Sequence, residues 1–279
     1  IRQIPDGEYF FADYADEDET GGYPVRVAVN LKVHGDTLTL DFTGSDPQLA
    51  TSQNMPTGGK ERHALVTVGT VYALYCLDPT MMLNAGLMRP TRAILPEGTI
   101  MNAVEPVAVG MRTLACTLAQ TVTLGAFCRA LPDRMPASPA SSVTLMNIKT
   151  STRAGRPIMA SVGPVGGGAG GSAFGDGADG SGANLSFLKN TPVEISEAEI
   201  PVRIKRYGLV PDSGGPGEYR GGTGLEMELQ LDQPQSMVTA RNRDRSVISA
   251  WGLRGGRSGA VSRFVKNPDT AGSIELGSQ

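Results

Sequence analysis

Residues 163–180 run Gly-Pro-Val-Gly-Gly-Gly-Ala-Gly-Gly-Ser-Ala-Phe-Gly-Asp-Gly-Ala-Asp-Gly, and nine of these eighteen are glycine. Glycine loses more conformational freedom on folding than any other residue, so such density needs a reason. Either the run is a flexible linker, or its backbone must come closer to a ligand or a partner than a Cβ would allow. The run follows a strand-like segment, 157–162, and carries Asp176 and Asp179 between small residues, which favours the ordered loop. Amides of Gly166, Gly167, Gly168, Gly170 and Gly171 could then form an anion-binding nest. The two aspartates could meet a cation or hydroxyl groups, or simply make Asx turns. Glu194 and Glu197 stand three apart, on one face if helical. Such a pair can divide the roles of general acid and base, or it can cap or salt-bridge a short helix. A second stretch, 212–224, holds six glycines in thirteen residues together with Asp212, Ser213 and Arg220. No Gly-Lys-Ser/Thr follows the first run, so it is not a Walker loop. Asp-Gly-Ala-Asp-Gly follows its glycine triples where a dinucleotide fingerprint would open a helix.

The elements that must position these residues read as α+β, largely antiparallel β with a few buried helices and glycine-rich loops. The clearest strand signal is the alternation of Val25, Val27, Val29, Leu31 and Val33. A turn at His34-Gly35-Asp36 sends the chain back through Leu38, Leu40 and Phe42, a hairpin with one buried face. Residues 5–14 are a shorter extended piece, and the acidic run 16–19 reads as a solvated loop. Asp41 and Ser45, at the end of the hairpin, read as turn chemistry rather than site residues. A buried helix is expected over 64–77 with Leu65, Val68, Tyr72 and Tyr75 facing inward. A second is expected over 107–131 with Leu114, Leu118, Val122 and Phe127 in a stripe and Pro132 at its end. Arg112 near its start is a candidate site residue, although lone helix arginines are more often surface groups. Strands are expected at 143–149, 157–162, 202–210, 225–231 and 236–240, with Val202, Ile204, Tyr207 and Leu209 inward on the third. The chain divides into a helix-bearing part, 1–135, and a β-rich part, 136–279, as one continuous domain.

Composition narrows the partners. Glycine is 36 of 279 residues, about 13 %, against a typical ~7 %. Net charge is −3 with no basic block, which argues against nucleic acid. No apolar run is long enough to cross a membrane. The three cysteines, Cys76, Cys116 and Cys128, are widely spaced with apolar neighbours. They read as reduced thiols inside helices and point to the cytoplasm. His34 and His63 lie far apart without second ligands at metal spacing, so no metal site is expected from this chain alone.

Several phrases, in order, resemble one family. They are Asp41-Phe-Thr-Gly-Ser, Asn84-Ala-Gly, Pro96-Glu-Gly, the Ala-Leu-Pro-Asp that ends the second helix, and the glycine run 166–180. After them come Asn190-Thr-Pro-Val-Glu, Asp212-Ser-Gly-Gly-Pro-Gly-Glu-Tyr-Arg-Gly-Gly-Thr-Gly and Trp251-Gly-Leu-Arg-Gly-Gly. Together they resemble the hydantoinase B family, which takes in 5-oxoprolinases, caprolactamase subunits and the alpha-type subunits of acetone and acetophenone carboxylases. The family's upstream Asn-Asp-Pro-Tyr and Gly-Gly-Thr-His phrases are absent. The chain therefore reads as an internal portion of the family domain, truncated at both ends, with any divalent metal held outside it. The resemblance implies an ATP-dependent enzyme of two kinds of subunit. An actin-like A-type partner would bind ATP and phosphorylate an amide or enol oxygen, and the B-type subunit would receive the activated intermediate. The expected activity is hydrolysis of a small cyclic amide; a ketone carboxylase subunit and a docking domain without catalysis are the alternatives. Arg220 or Arg112 with glycine amides would stabilise an oxyanion or phosphate. Asp176, Asp179, Glu194 and Glu197 would handle water, protons or a cation, beside a phosphate-binding edge that includes Asp212 and Ser213.

Overall fold

The computed structural model describes residues 1–16, 22–181 and 189–277. The first half is built on the predicted alternation. Strands β1 (Gly7–Ala15), β2 (Val25–His34), β3 (Thr37–Asp41) and β4 (Thr91–Ile94) form one sheet in that order. β1 and β3 flank β2 antiparallel, whereas β4 joins β3 in parallel. Val25, Val27, Val29, Leu31 and Val33 are all buried, as are Leu38, Leu40 and Phe42. Asp41 and Ser45 do the turn chemistry expected of them. Asp41 Oδ1 accepts the Thr43 amide at 3.1 Å, and the Ser45 hydroxyl bridges the amide and carbonyl of Ala28.

Two helices cover the buried face. α1 spans Ala64–Leu77 as expected, but its inner face differs from the predicted one. Val66, Thr67, Gly69, Thr70, Ala73 and Leu74 are buried, while Leu65, Val68 and Tyr72 are half-buried and Tyr75 is exposed. The reason is the crossing with α2 (Arg112–Ala130). A Cβ at Gly69 would lie 2.9 Å from Gln120 Cα, so the small residues, not the large ones, mark the contact. α2 starts later than the expected 107 and is buried nearly all round, from Leu114 to Cys128. A helix carrying this much threonine tolerates burial because its hydroxyls bond backward to its own carbonyls. Thr117 reaches Leu114 O at 2.8 Å, Thr121 reaches Thr117 O at 3.0 Å, and Thr123 reaches Ala119 O at 2.7 Å. All three cysteines are free thiols on these helices. Burial pushes Cys116 up to about 11 and Cys128 up to about 12, so neither is a nucleophile near neutrality.

The second half is antiparallel. β5 (Val143–Ser151) lies between β6 (Pro157–Gly166) and β9 (Met237–Arg241). β7 (Val202–Leu209) pairs with β8 (Leu225–Leu231), and the short strands β10 (Phe264–Lys266) and β11 (Ile274–Leu276) pair with each other. A small core of Ile148, Val162, Ile200 and Val202 joins the β6–β5–β9 sheet to the β7–β8 pair. Tyr207 and Leu209, expected inward, are exposed. The β7–β8 register shifts between Ile204 and Arg206, and beyond that point the strand runs past the small core. The halves meet where Trp251 and Leu253 pack on the first core; the Trp251 ring lies 5.0 Å from Phe11.

Candidate functional site

Four segments of chain interleave around the two glycine-rich stretches: 137–140, 167–180, 210–224 and 250–260. Most of their close contacts are backbone on backbone. A Cβ at Gly168 would lie 2.1 Å from Gly222 O, and one at Gly222 would lie 2.0 Å from Ala178 O. Gly170 meets Ala137 O in the same way, Gly171 meets Tyr219 O, and Gly167 meets the Ala140 Cβ. Hydrogen bonds lace the same segments together. Ala140 N donates to Gly168 O at 3.1 Å, Gly222 N to Ala169 O at 2.9 Å, and Gly180 N to Thr223 O at 2.8 Å. On the far side Ala260 N donates to Ser213 O and Arg257 N to Pro216 O. The first glycine run is therefore ordered, and what its backbone closely approaches is other backbone of the same chain. Gly166 is the last residue of β6, opposite Val143.

This lattice presents a charged clasp. Arg220 Nη1 lies 2.8 Å and Nη2 3.3 Å from the two oxygens of Asp179, a bidentate pair, and Nε lies 3.6 Å from Asp176 Oδ2. The two carboxylates also fasten the loop: Asp176 Oδ1 accepts the Arg220 amide at 2.9 Å and Asp179 Oδ1 the Thr223 amide at 2.8 Å. The Arg220 guanidinium, with the Thr223 amide, holds the Asp179 carboxyl far below the usual carboxylate range. Such a group is a poor base and a good orienter. All three side chains remain part-exposed, so the guanidinium is fixed yet open to solvent. Phe174 and Tyr219, both exposed, lie next to the clasp in sequence.

Residues far apart in sequence, Asp176, Asp179 and Arg220, are thus brought together. The others stand in different places. Glu194 and Glu197 lie on α3 (Val193–Glu199); Glu194 is exposed in its first turn. Glu197 Oε1 accepts the Ile204 amide at 2.7 Å and so pins the start of β7. Ser213 closes the second loop, donating to Val210 O and accepting from Gly224 N, both at 2.8 Å. Asp212 beside it is exposed with a φ of +55°. Arg112 is the first residue of α2, exposed, and donates to Val109 O at 3.3 Å. Part of the polar stretch between the glycine run and α3, residues 182–188, falls outside the described residues.

His63 caps α1, its Nδ1 accepting the Leu65 amide, and His34 is exposed at the end of β2. Among the described residues no three His, Cys, Asp or Glu side chains are grouped to hold a metal ion, and no helix is long and apolar enough to cross a membrane.

A second charged cluster was missed in the sequence. Asp13, Asp16, Asp244 and Arg245 are all buried, at 6, 7, 6 and 3 % exposure. Asp16 therefore does not belong to a solvated acidic loop; the rest of that run, residues 17–19, lies outside the described residues. One signal existed. Asp13 occupies an inward position of β1, in step with Tyr9, Phe11 and Ala15, and a charge there demands a buried partner.

The whole chain, residues 1–279, matches the family profile described as hydantoinase B/oxoprolinase. It is 27 % identical over 286 residues to a provisionally named D-/L-hydantoinase chain of the B type from Pseudomonas sp. (strain NS671), covering all of this chain and 48 % of that protein. It superimposes on the ATP-dependent caprolactamase of Pseudomonas jessenii with a TM-score of 0.78 at 24 % identity, over 100 % of this chain and 48 % of that one. On acetone carboxylase in its nucleotide-free form the TM-score is 0.77 at 21 % identity, over 94 % of this chain and 37 % of that one. At these identities the two superpositions establish a common fold. The chain spans about half the length of the hydantoinase protein it matches.

Proposed function

The chain belongs to the hydantoinase B/oxoprolinase family, and from that premise we propose that it forms part of the B-type subunit of an ATP-dependent cyclic-amide hydrolase. The similar hydantoinase protein and the caprolactamase support this reading, because hydantoin and caprolactam are both cyclic amides. An A-type, actin-like partner binds ATP and phosphorylates the amide oxygen, releasing ADP; this chain receives the activated ring, water adds at its phosphorylated carbon, the ring C–N bond breaks, and a second water releases inorganic phosphate. The observation that carries the proposal is the clasp of Arg220 between Asp179 and Asp176. A guanidinium held by a bidentate carboxylate, over a backbone lattice that keeps it from drifting, is preorganised to meet negative charge. Arg220 stabilises the phosphate or oxyanion, Asp179 orients Arg220, and the more exposed Asp176 assists water.

ATP hydrolysis by the native complex containing this chain tests the reading. Hydantoin or 5-oxoproline is supplied in one arm and a ketone with bicarbonate in the other. The cyclic amide should stimulate turnover, and Arg220→Ala should lower kcat by about 10²–10³, the usual cost of one oxyanion donor, with assembly intact. Stimulation by ketone and bicarbonate instead would move the chain to the carboxylases. Weakened assembly with normal turnover per complex would leave only a docking role.

A further inference from the structure

The buried cluster at the end of β1 has a geometry that the clasp does not explain. After β9 the chain turns through loop 242–248, with Asn242 and Arg245 both at positive φ, +57° and +62°. The turn aims three successive amides at one carboxylate. Ser246 N and Val247 N donate to Asp16, the latter at 3.1 Å, and Ile248 N donates at 2.7 Å. This is an anion nest whose anion is supplied by the protein itself. Asp16 N in turn donates to Asp244 Oδ1 at 3.0 Å, and Arg245 Nη2 lies 2.8 Å from Asp13 Oδ2. These bonds join residues more than two hundred positions apart, and they hold the loop that delivers Trp251 to Phe11.

The charges do not balance. Three carboxylates, Asp13 and Asp16 from β1 and its end and Asp244 from the loop, face one buried guanidinium, Arg245. Half-buried Arg243 adds some attraction for Asp16 and is itself drawn to Glu275 on β11. Arg245 spends its fork on Asp13. Its Nε is 3.9 Å from Asp244 Oδ2 and has no hydrogen bond among the described residues. Asp244 is thus the least compensated member, buried with the Asp16 amide, a weaker contribution from the Arg245 amide and a distant cation.

We propose that this cluster is a proton-operated latch, in which a neutral Asp244 tightens loop 242–248 onto β1 and an ionised Asp244 loosens it. Burial supports this by pushing the Asp244 carboxyl up to about 6, against the pull of Arg245. The folded latch therefore binds its proton more tightly than the open one, whose carboxyl sits near the ordinary 3.8. Between those two values the open form gains as pH rises, and above them the difference stays constant.

Amide hydrogen exchange of the full protein, corrected for intrinsic rates, reads the latch at Ser246, Val247 and Ile248. Their protection should fall by about tenfold from pH 5 to pH 7.5, one unit of carboxyl shift being worth a factor of ten. In Asp244→Asn, which keeps an acceptor for the Asp16 amide, protection should be the same at both pH values and no lower than the wild-type value at pH 5. Wild-type protection that is the same at both pH values overturns the proposal, and so does an equal fall in the variant. The wild-type comparison stands even if the variant folds poorly.

Discussion

The sheet-and-helix half and the glycine lattice solve the packing problem in opposite ways. Around α2, apart from the close crossing at Gly69, the contacts are made by side chains: Phe42, Phe127, Leu31, Leu38 and Leu40 are fully buried. Around 167–180 and 210–224 they are made by missing side chains, so that backbone can lie on backbone and bond to it directly. The first region gains from apolar area removed from water. The second gains few such contacts and depends on hydrogen bonds and close fit. Its reward is geometric. A loop built this way can hold a part-exposed arginine and two aspartates in place without a hydrophobic core beneath them. A region with little apolar side-chain packing can therefore still fix charged side chains at its surface.

Truncation in the side-chain region should have the largest effect. Phe127→Ala is expected to destabilise by about 4 kcal/mol, the cost of a large core cavity, measured by denaturant unfolding. In the lattice the damaging change is addition. Gly222→Ala should cost about 3 kcal/mol, because its methyl would collide with the Ala178 carbonyl. Gly208→Ala is the control, since nothing stands within 4 Å of the added atom; it should shift stability by no more than about 0.5 kcal/mol. If the two alanines behaved alike, the lattice would not be close-packed and the comparison would collapse. Ser213→Ala sharpens it further. It removes both hydrogen bonds that close the 213–224 loop and should cost about 1 kcal/mol. Thermal unfolding would show that loss as a modest shift, and activity should suffer more than stability because Arg220 lies in the same loop.

Much of the fold was legible because it rests on local periodicity. The alternating valines of β2 and the extent of α1 follow from patterns of two and of 3.6 residues that need no distant partner. The inner face of α1 was not legible, since it depends on which helix crosses it and on Gly69 permitting the approach. β4 escaped notice because four residues carry too little alternation, and its partner β3 lies some fifty positions earlier. Tyr207 and Leu209 do share the face of Ile204, opposite Met227 and Leu225, but they are exposed because the small core does not reach this end of the strand, and no local pattern records where a core stops.

For the site, residue types alone determined that two glycine-rich loops carry aspartates and an arginine, and that the two histidines stand far apart in the chain. Their order along the chain determined the family resemblance. Only the tertiary structure decided that Arg220 sits between Asp176 and Asp179, that Glu197 caps a strand, and that Asp13 and Asp16 meet a loop more than two hundred residues away. The physical reason is range. Propensity and periodicity act over a few residues of chain, whereas an ion pair acts over a few ångströms of space. Close approach of backbone to backbone is what turns the one into the other.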